Sequence, residues 1–298
     1  MYKIIARYLL VLVPLLPFSI DNAYAWHGKT HKKLIQDAIE ILCQQDIPQE
    51  EKDFFNQYKD SLFKGSVKAD KYSRLHHIYF SEDGEVEDNS AALTSKEISI
   101  EAIQTIQSAK LNGKVTRPQK EYFAEICGEV GHMIEDVCNG LHTISDEDQM
   151  VHEELESEVD KDIRKNGDNF ESETFQIIFD GEFKRGICPY DAGIEVAKLS
   201  HFGDEEIFPA RKLASSVPMG KYGTGSYVGL KKGWKKPLIK SVSKSLNIAS
   251  NSVAEVLDYM YTQAFLDSPE PAPAPDILQT STSIPQLATP DISGSVQH

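Results

Sequence analysis

Apolar residues recur at three- and four-residue steps along much of the chain, the spacing that gathers them on one face of a helix. Leu34, Ile35, Ala38, Ile39, Ile41 and Leu42 predict such a helix after His31. Ile98, Ala102, Ile103, Ile106 and Ala109 predict another over 96–112, ended by Asn112-Gly113. Pro118 falls in the first turn of the next, where its missing N–H costs nothing. That helix carries Phe123, Ile126, Val130, Met133, Val137 and Leu141, with a break or kink offered by Asn139-Gly140. Leu238 to Phe265 resumes the spacing through Ile248, Val253, Val256, Leu257, Met260 and Tyr261. Between the first two helices, Gly65-Ser66 reads as a turn, with Asp70 in a loop or short helix after it.

The polar positions within this pattern carry the chemistry. His132 and Asp136 are four residues apart beside the apolar stripe, His142 follows, and His152 and Glu156 repeat the spacing. Residues four apart on a helix bring their side chains within about 6 Å, close enough to bite one metal ion. One such pair is ordinary on a charged helix face. Two pairs around a central histidine point to a metal site, and imidazole with carboxylate suits zinc.

The two ends read differently from the body. Lys3 and Arg7, the apolar run Tyr8 to Ile20 and the small-x-small Ala23-Tyr24-Ala25 describe a cleavable signal peptide over 1–25. Its removal makes Trp26 the first residue, whose free amine and carbonyl can chelate a metal. Residues 267–298, rich in Pro, Ser and Thr, predict a disordered tail, which leaves 26–266 as one catalytic domain. Residues 219–236 form a basic stretch rich in glycine and aromatics, read as a solvated loop or a contact for lipid headgroups. The formal charge of −15, or −16 without Lys3, Arg7 and Asp21, argues against nucleic acid as a partner. Four cysteines in an exported chain allow bridges or free thiols, but Cys127 and Cys138 cannot pair along an unbroken helix.

Together these features resemble the zinc-dependent phospholipase C family, whose all-α fold is shared with S1/P1 nucleases. The motifs are Trp26 at the cleavage site, Thr30-His31, Gly65-Ser66 with Asp70, His77-Ile78-Tyr79, and the series His132, Asp136, His142, His152, Glu156. His77 is preferred to His76 because Ile78-Tyr79 follows it. The resemblance implies a multi-helix bundle with three zinc ions in a core cleft. Asp70, His77, His132 and Asp136 would hold one ion; Trp26, His31 and bridging Asp136 its neighbour; His142, His152 and Glu156 the third. It further implies a secreted or periplasmic monomer that hydrolyses phospholipid at a membrane surface through a zinc-bridged water, with Asp70 also placed to act in catalysis. Lys71 and Arg74 stand where a choline pocket would want acidic and aromatic residues, so no headgroup is assigned. A single-strand nuclease of the same fold and a non-catalytic zinc-binding protein are the alternatives.

Overall fold

From Phe123 to Val137 every residue except Glu125 is buried, so the helix that carries them runs through the middle of the molecule. A helix enclosed on all sides needs neighbours on all sides. The computed structural model describes residues 26–69, 77–81, 83–145, 149–179, 182–218 and 234–266. The expected signal peptide, Asp70, His76, the tail from 267 and most of the basic loop (219–233) lie outside the described residues.

Nine α-helices occur among the described residues. They are α1 (Gly28–Gln44), α2 (Gln49–Gln57), α3 (Lys59–Lys68), α4 (Ser90–Leu111), α5 (Arg117–Val137), α6 (Gln149–Asp162), α7 (Pro189–Phe202), α8 (Ala210–Ser216) and α9 (Lys236–Tyr261). A 3-10 turn, Gly140–Thr143, follows α5, and a π turn, Thr262–Leu266, extends α9. Two antiparallel hairpins complete the set: β1 (Tyr79–Phe80) with β2 (Val86–Asp88), and β3 (Arg164–Asn166) with β4 (Asn169–Glu171). The fold is all-α, and its core is one continuous cluster from Trp26 to Ala264. No helix among the described residues is long and apolar enough to cross a membrane.

The central helix starts and stops where its sequence directs. Thr116 and Gln119 close a capping box, Pro118 sits in the first turn, and the helix ends before Asn139. α1, α3, α4, α7 and α9 surround it. Against α3 the approach is so close that backbones touch. A Cβ added to Gly65 would lie 1.9 Å from the Glu125 carbonyl oxygen, and one on Gly128 would lie 2.1 Å from that of Leu62. The turn expected at Gly65-Ser66 is therefore absent: α3 runs straight through both residues. Glycine is there for contact between helices, not for a reversal of the chain. All four cysteines are free thiols. Burial pushes Cys127 and Cys138 well above the ordinary thiol range.

α2 and α9 meet at a buried acidic pair. Glu51 is wholly enclosed and Asp258 nearly so, and the Arg185 guanidinium binds Asp258 at 3.0 Å. Burial, then the charge of Asp258, push the Glu51 carboxyl up to about 8. A carboxyl raised on folding favours the native state below its unfolded value and loses that contribution as pH climbs through the folded one.

Two outcomes follow from this packing. Gly128→Ala should cost about 3 kcal/mol or more, since the obstacle is backbone that cannot turn aside. Gly193→Ala, whose new methyl would meet Ala92 at an ordinary 3.5 Å, should be neutral or stabilising; thermal unfolding of both variants decides the matter. Separately, the native protein should lose melting temperature as pH rises from about 4.5 to about 8, the ordinary and the folded values of Glu51. Glu51→Gln should flatten that part of the curve, because the other raised carboxyls remain in both proteins.

Candidate metal centre

The predicted i,i+4 spacing places His132 and Asp136 on one face of α5, with His132 Nε2 3.0 Å from Asp136 Oδ2. α1 brings His31 to the same carboxylate, its Nε2 3.7 Å from Oδ1. The imidazoles of His31 and His132 stack with centroids 3.9 Å apart. All three side chains are completely buried. One carboxylate thus presents a different oxygen to each of two histidines.

A second group forms where α5 gives way to α6. Asn139 ends the helical path, its side chain accepts the Leu141 N–H, and the 3-10 turn aims His142 inward. α6 supplies His152 and Glu156, four residues apart, with Nε2 2.5 Å from Oε1. His142 Nε2 lies 3.4 Å from the same oxygen, and Asn139 Nδ2 donates to it at 3.0 Å. The other oxygen, Oε2, is buried and accepts no hydrogen bond among the described residues. A carboxylate oxygen in that position lacks the donor that burial normally demands, and a cation would supply its partner. Burial raises the Glu156 carboxyl to about 7, partly offset by His152, and the Asp136 charge adds to the rise. The two groups therefore feel each other electrostatically.

His31, His132 and Asp136, and separately His142, His152 and Glu156, each bring three ligand atoms close enough to hold one ion. Of the other expected ligands, half-buried His77 stacks on the His142 ring at 5.0 Å and on Tyr79 at 5.2 Å. The Ile78 N–H donates to the His142 carbonyl, which ties that strand to the 3-10 turn. Trp26 is buried, and its indole N–H donates to the Glu135 carbonyl at 2.9 Å. Asp70 lies outside the described residues.

The family model described as zinc dependent phospholipase C matches residues 30–191, just over half of the chain. The chain belongs to the zinc-dependent phospholipase C family. It is thus a zinc-dependent phospholipase C-type phosphodiester hydrolase, and two sets of zinc-compatible donors sit within the matched span. The match begins four residues after Trp26 and continues past Glu156 through the second hairpin into α7. No curated protein matches the chain.

Sequence reasoning passed over Glu135. Its side chain is fully buried, and Oε2 lies 2.6 Å from His31 Nδ1. A carboxylate on one ring nitrogen fixes the tautomer and leaves the other nitrogen's lone pair free to bind a metal. The available signal was Glu135 itself, an acid directly before Asp136 in a helix otherwise apolar at that height. The start of α1 shows the same long-range support. His27 provides no side-chain cap, and Asp160 of α6 instead accepts the N–H groups of Lys29 at 2.9 Å and Thr30 at 3.2 Å. The Lys29 ammonium reaches back to the Ile163 carbonyl at 2.9 Å.

In this phospholipase C, Glu135→Gln keeps the shape but removes the charge facing His31. Zinc affinity of the His31 group should fall about 10- to 100-fold, while the His142 group keeps its ion. Metal content measured against a graded chelator should show one class of site weakening alone.

Proposed function

We propose that the mature chain begins at Trp26, is exported as a monomer, and hydrolyses phospholipids at a membrane surface to diacylglycerol and a phosphorylated headgroup. The observation that carries this reading is the pair of buried His/His/carboxylate groups in a chain of this family. In this reading three zinc ions are held: one by His142, His152 and Glu156, and two beside Asp136. Those two draw on His31 with the Trp26 amine and carbonyl, and on His132 with His77 and Asp70. When bound, the ions supply Lewis acidity, which makes shared water acidic near neutral pH and offsets negative charge on phosphorus.

The remaining work falls to the chain's own side chains. Asp136 turns one oxygen towards His31 and the other towards His132, the disposition a bridging ligand needs. Glu135 holds the His31 proton at Nδ1, and Asn139 pins Glu156 through Oε1, leaving the buried Oε2 without a donor among the described residues. Burial of both groups excludes bulk water and strengthens each electrostatic contact. Asp70 orients the attacking water or accepts its proton.

The zinc-replete mature protein should release diacylglycerol from vesicles of phosphatidylcholine, phosphatidylethanolamine or phosphatidylglycerol, and leave single-stranded DNA intact. Cleavage of DNA without lipid turnover would overturn the reading. A version with one extra Met before Trp26 has an amide where the amine ligand should be. It should bind zinc roughly 10-fold or more weakly and lose activity at limiting zinc. Trp26→Phe with a correct terminus should keep its zinc but melt earlier, because the Glu135 carbonyl loses a buried donor worth about 1 kcal/mol.

A further inference from the structure

A cleft of about 540 Å³ opens between α1, α3 and the β3–β4 hairpin, and no candidate metal ligand lines it. Its floor is two nearly buried phenylalanines, Phe63 and Phe170, whose rings meet edge to face at 5.7 Å. The Lys32 ammonium stands over the Phe170 ring at 5.9 Å, and that of Lys59, next to the lining residue Asp60, stands over Phe63 at 5.6 Å. Lys165, on the hairpin, is exposed and lines the opening.

Lys32, Lys59 and Lys165 make no ion pair with a carboxylate among the described residues. Lys64 and Lys68 also line the cleft, but they are engaged by Glu125, and Lys68 by Glu129 as well. Asp60 and Asp168 complete the charged lining. The hairpin wall is held in place, since the Phe170 N–H donates to Gln36 of α1 at 3.0 Å. Three ammonium groups with no carboxylate partner among the described residues thus stand around an apolar floor on a protein of formal charge −15. Each could have carried a carboxylate partner at little cost.

We propose that this cleft binds a phosphate ester anion through Lys32, Lys59 and Lys165, with the carbon chain of the ester resting on Phe63 and Phe170. The ammonium groups suit a phosphate as point charges, and the floor suits the aliphatic part of a phospholipid or glycerol phosphate. Lys32 directly follows His31, so α1 turns one side to the metal centre and the next to the cleft. An anionic headgroup held there would set the acidic protein on a bilayer with α3 and the β3–β4 hairpin nearest the lipid. The claim concerns binding alone and stands whether or not the protein hydrolyses the lipid.

The test uses the zinc-replete mature protein and two probes. Cold flotation measures binding to phosphatidylcholine vesicles with and without one-fifth phosphatidylglycerol, and calorimetry measures binding of glycerol 3-phosphate. The double variant Lys32→Gln, Lys165→Gln is compared with a charge-matched control, Lys114→Gln, Lys198→Gln, whose lysines lie away from the cleft. Binding to the anionic vesicles should fall roughly tenfold or more in the cleft variant and stay near native in the control. Asp168→Asn should strengthen it. If glycerol 3-phosphate binds the native protein and not the cleft variant while vesicles bind neither, the same site serves a soluble phosphate ester. Equal losses in cleft variant and control, or no binding of either probe by the native protein, would overturn the proposal.

Discussion

Three carboxylates, Glu135, Asp136 and Glu156, lie wholly inside the protein, and the arrangement around them follows from that expense. An ionised carboxylate taken out of water must be paired or bind a cation. Each of these three has an imidazole nitrogen within 3.0 Å. Four histidines and three acids are therefore packed together beside a continuous apolar core. α5 has to carry His132, Glu135 and Asp136 inward, so it must be covered on every side. Its contact with α3 through two glycines is one means by which that cover closes.

Much of this was legible because local geometry determined it. His132 with Asp136, and His152 with Glu156, each sit within one helical turn, and helical periodicity around them was strong. His142 could be read too, since Asn139-Gly140 is a local stop. The illegible parts depend on distant partners. Glu135 meets His31 from 104 positions away in the chain, which no local pattern reports. Gly65 could signal a turn or a close helix contact, and only the position of α5 decides between them. The hairpins have strands of two or three residues, too short to show an alternating pattern.

Net charge was the bluntest of the sequence signals. It speaks for the far field of the protein, and near a surface the local arrangement of charges governs instead. The cleft beside α1 shows the difference. Lysines without carboxylate partners gather on one face while acids elsewhere set the overall sign. The same helix serves both environments, because successive residues along it point about 100° apart.

The cap on α1 has a consequence for the order in which this protein is made. A helix that begins without its own cap has exposed N–H groups that favour fraying. Here the missing acceptor is Asp160, 131 residues downstream of Lys29. The first turn of α1, with His31 just inside it, cannot settle until α6 has been synthesised. Contacts of such long range slow folding, because a large loop must close before they repay its entropy. Residues 28–31 are synthesised well before α6 and, by this geometry, are fixed only after it. Zinc arriving before α6 would meet half-built sites, so metal uptake belongs to the end of maturation.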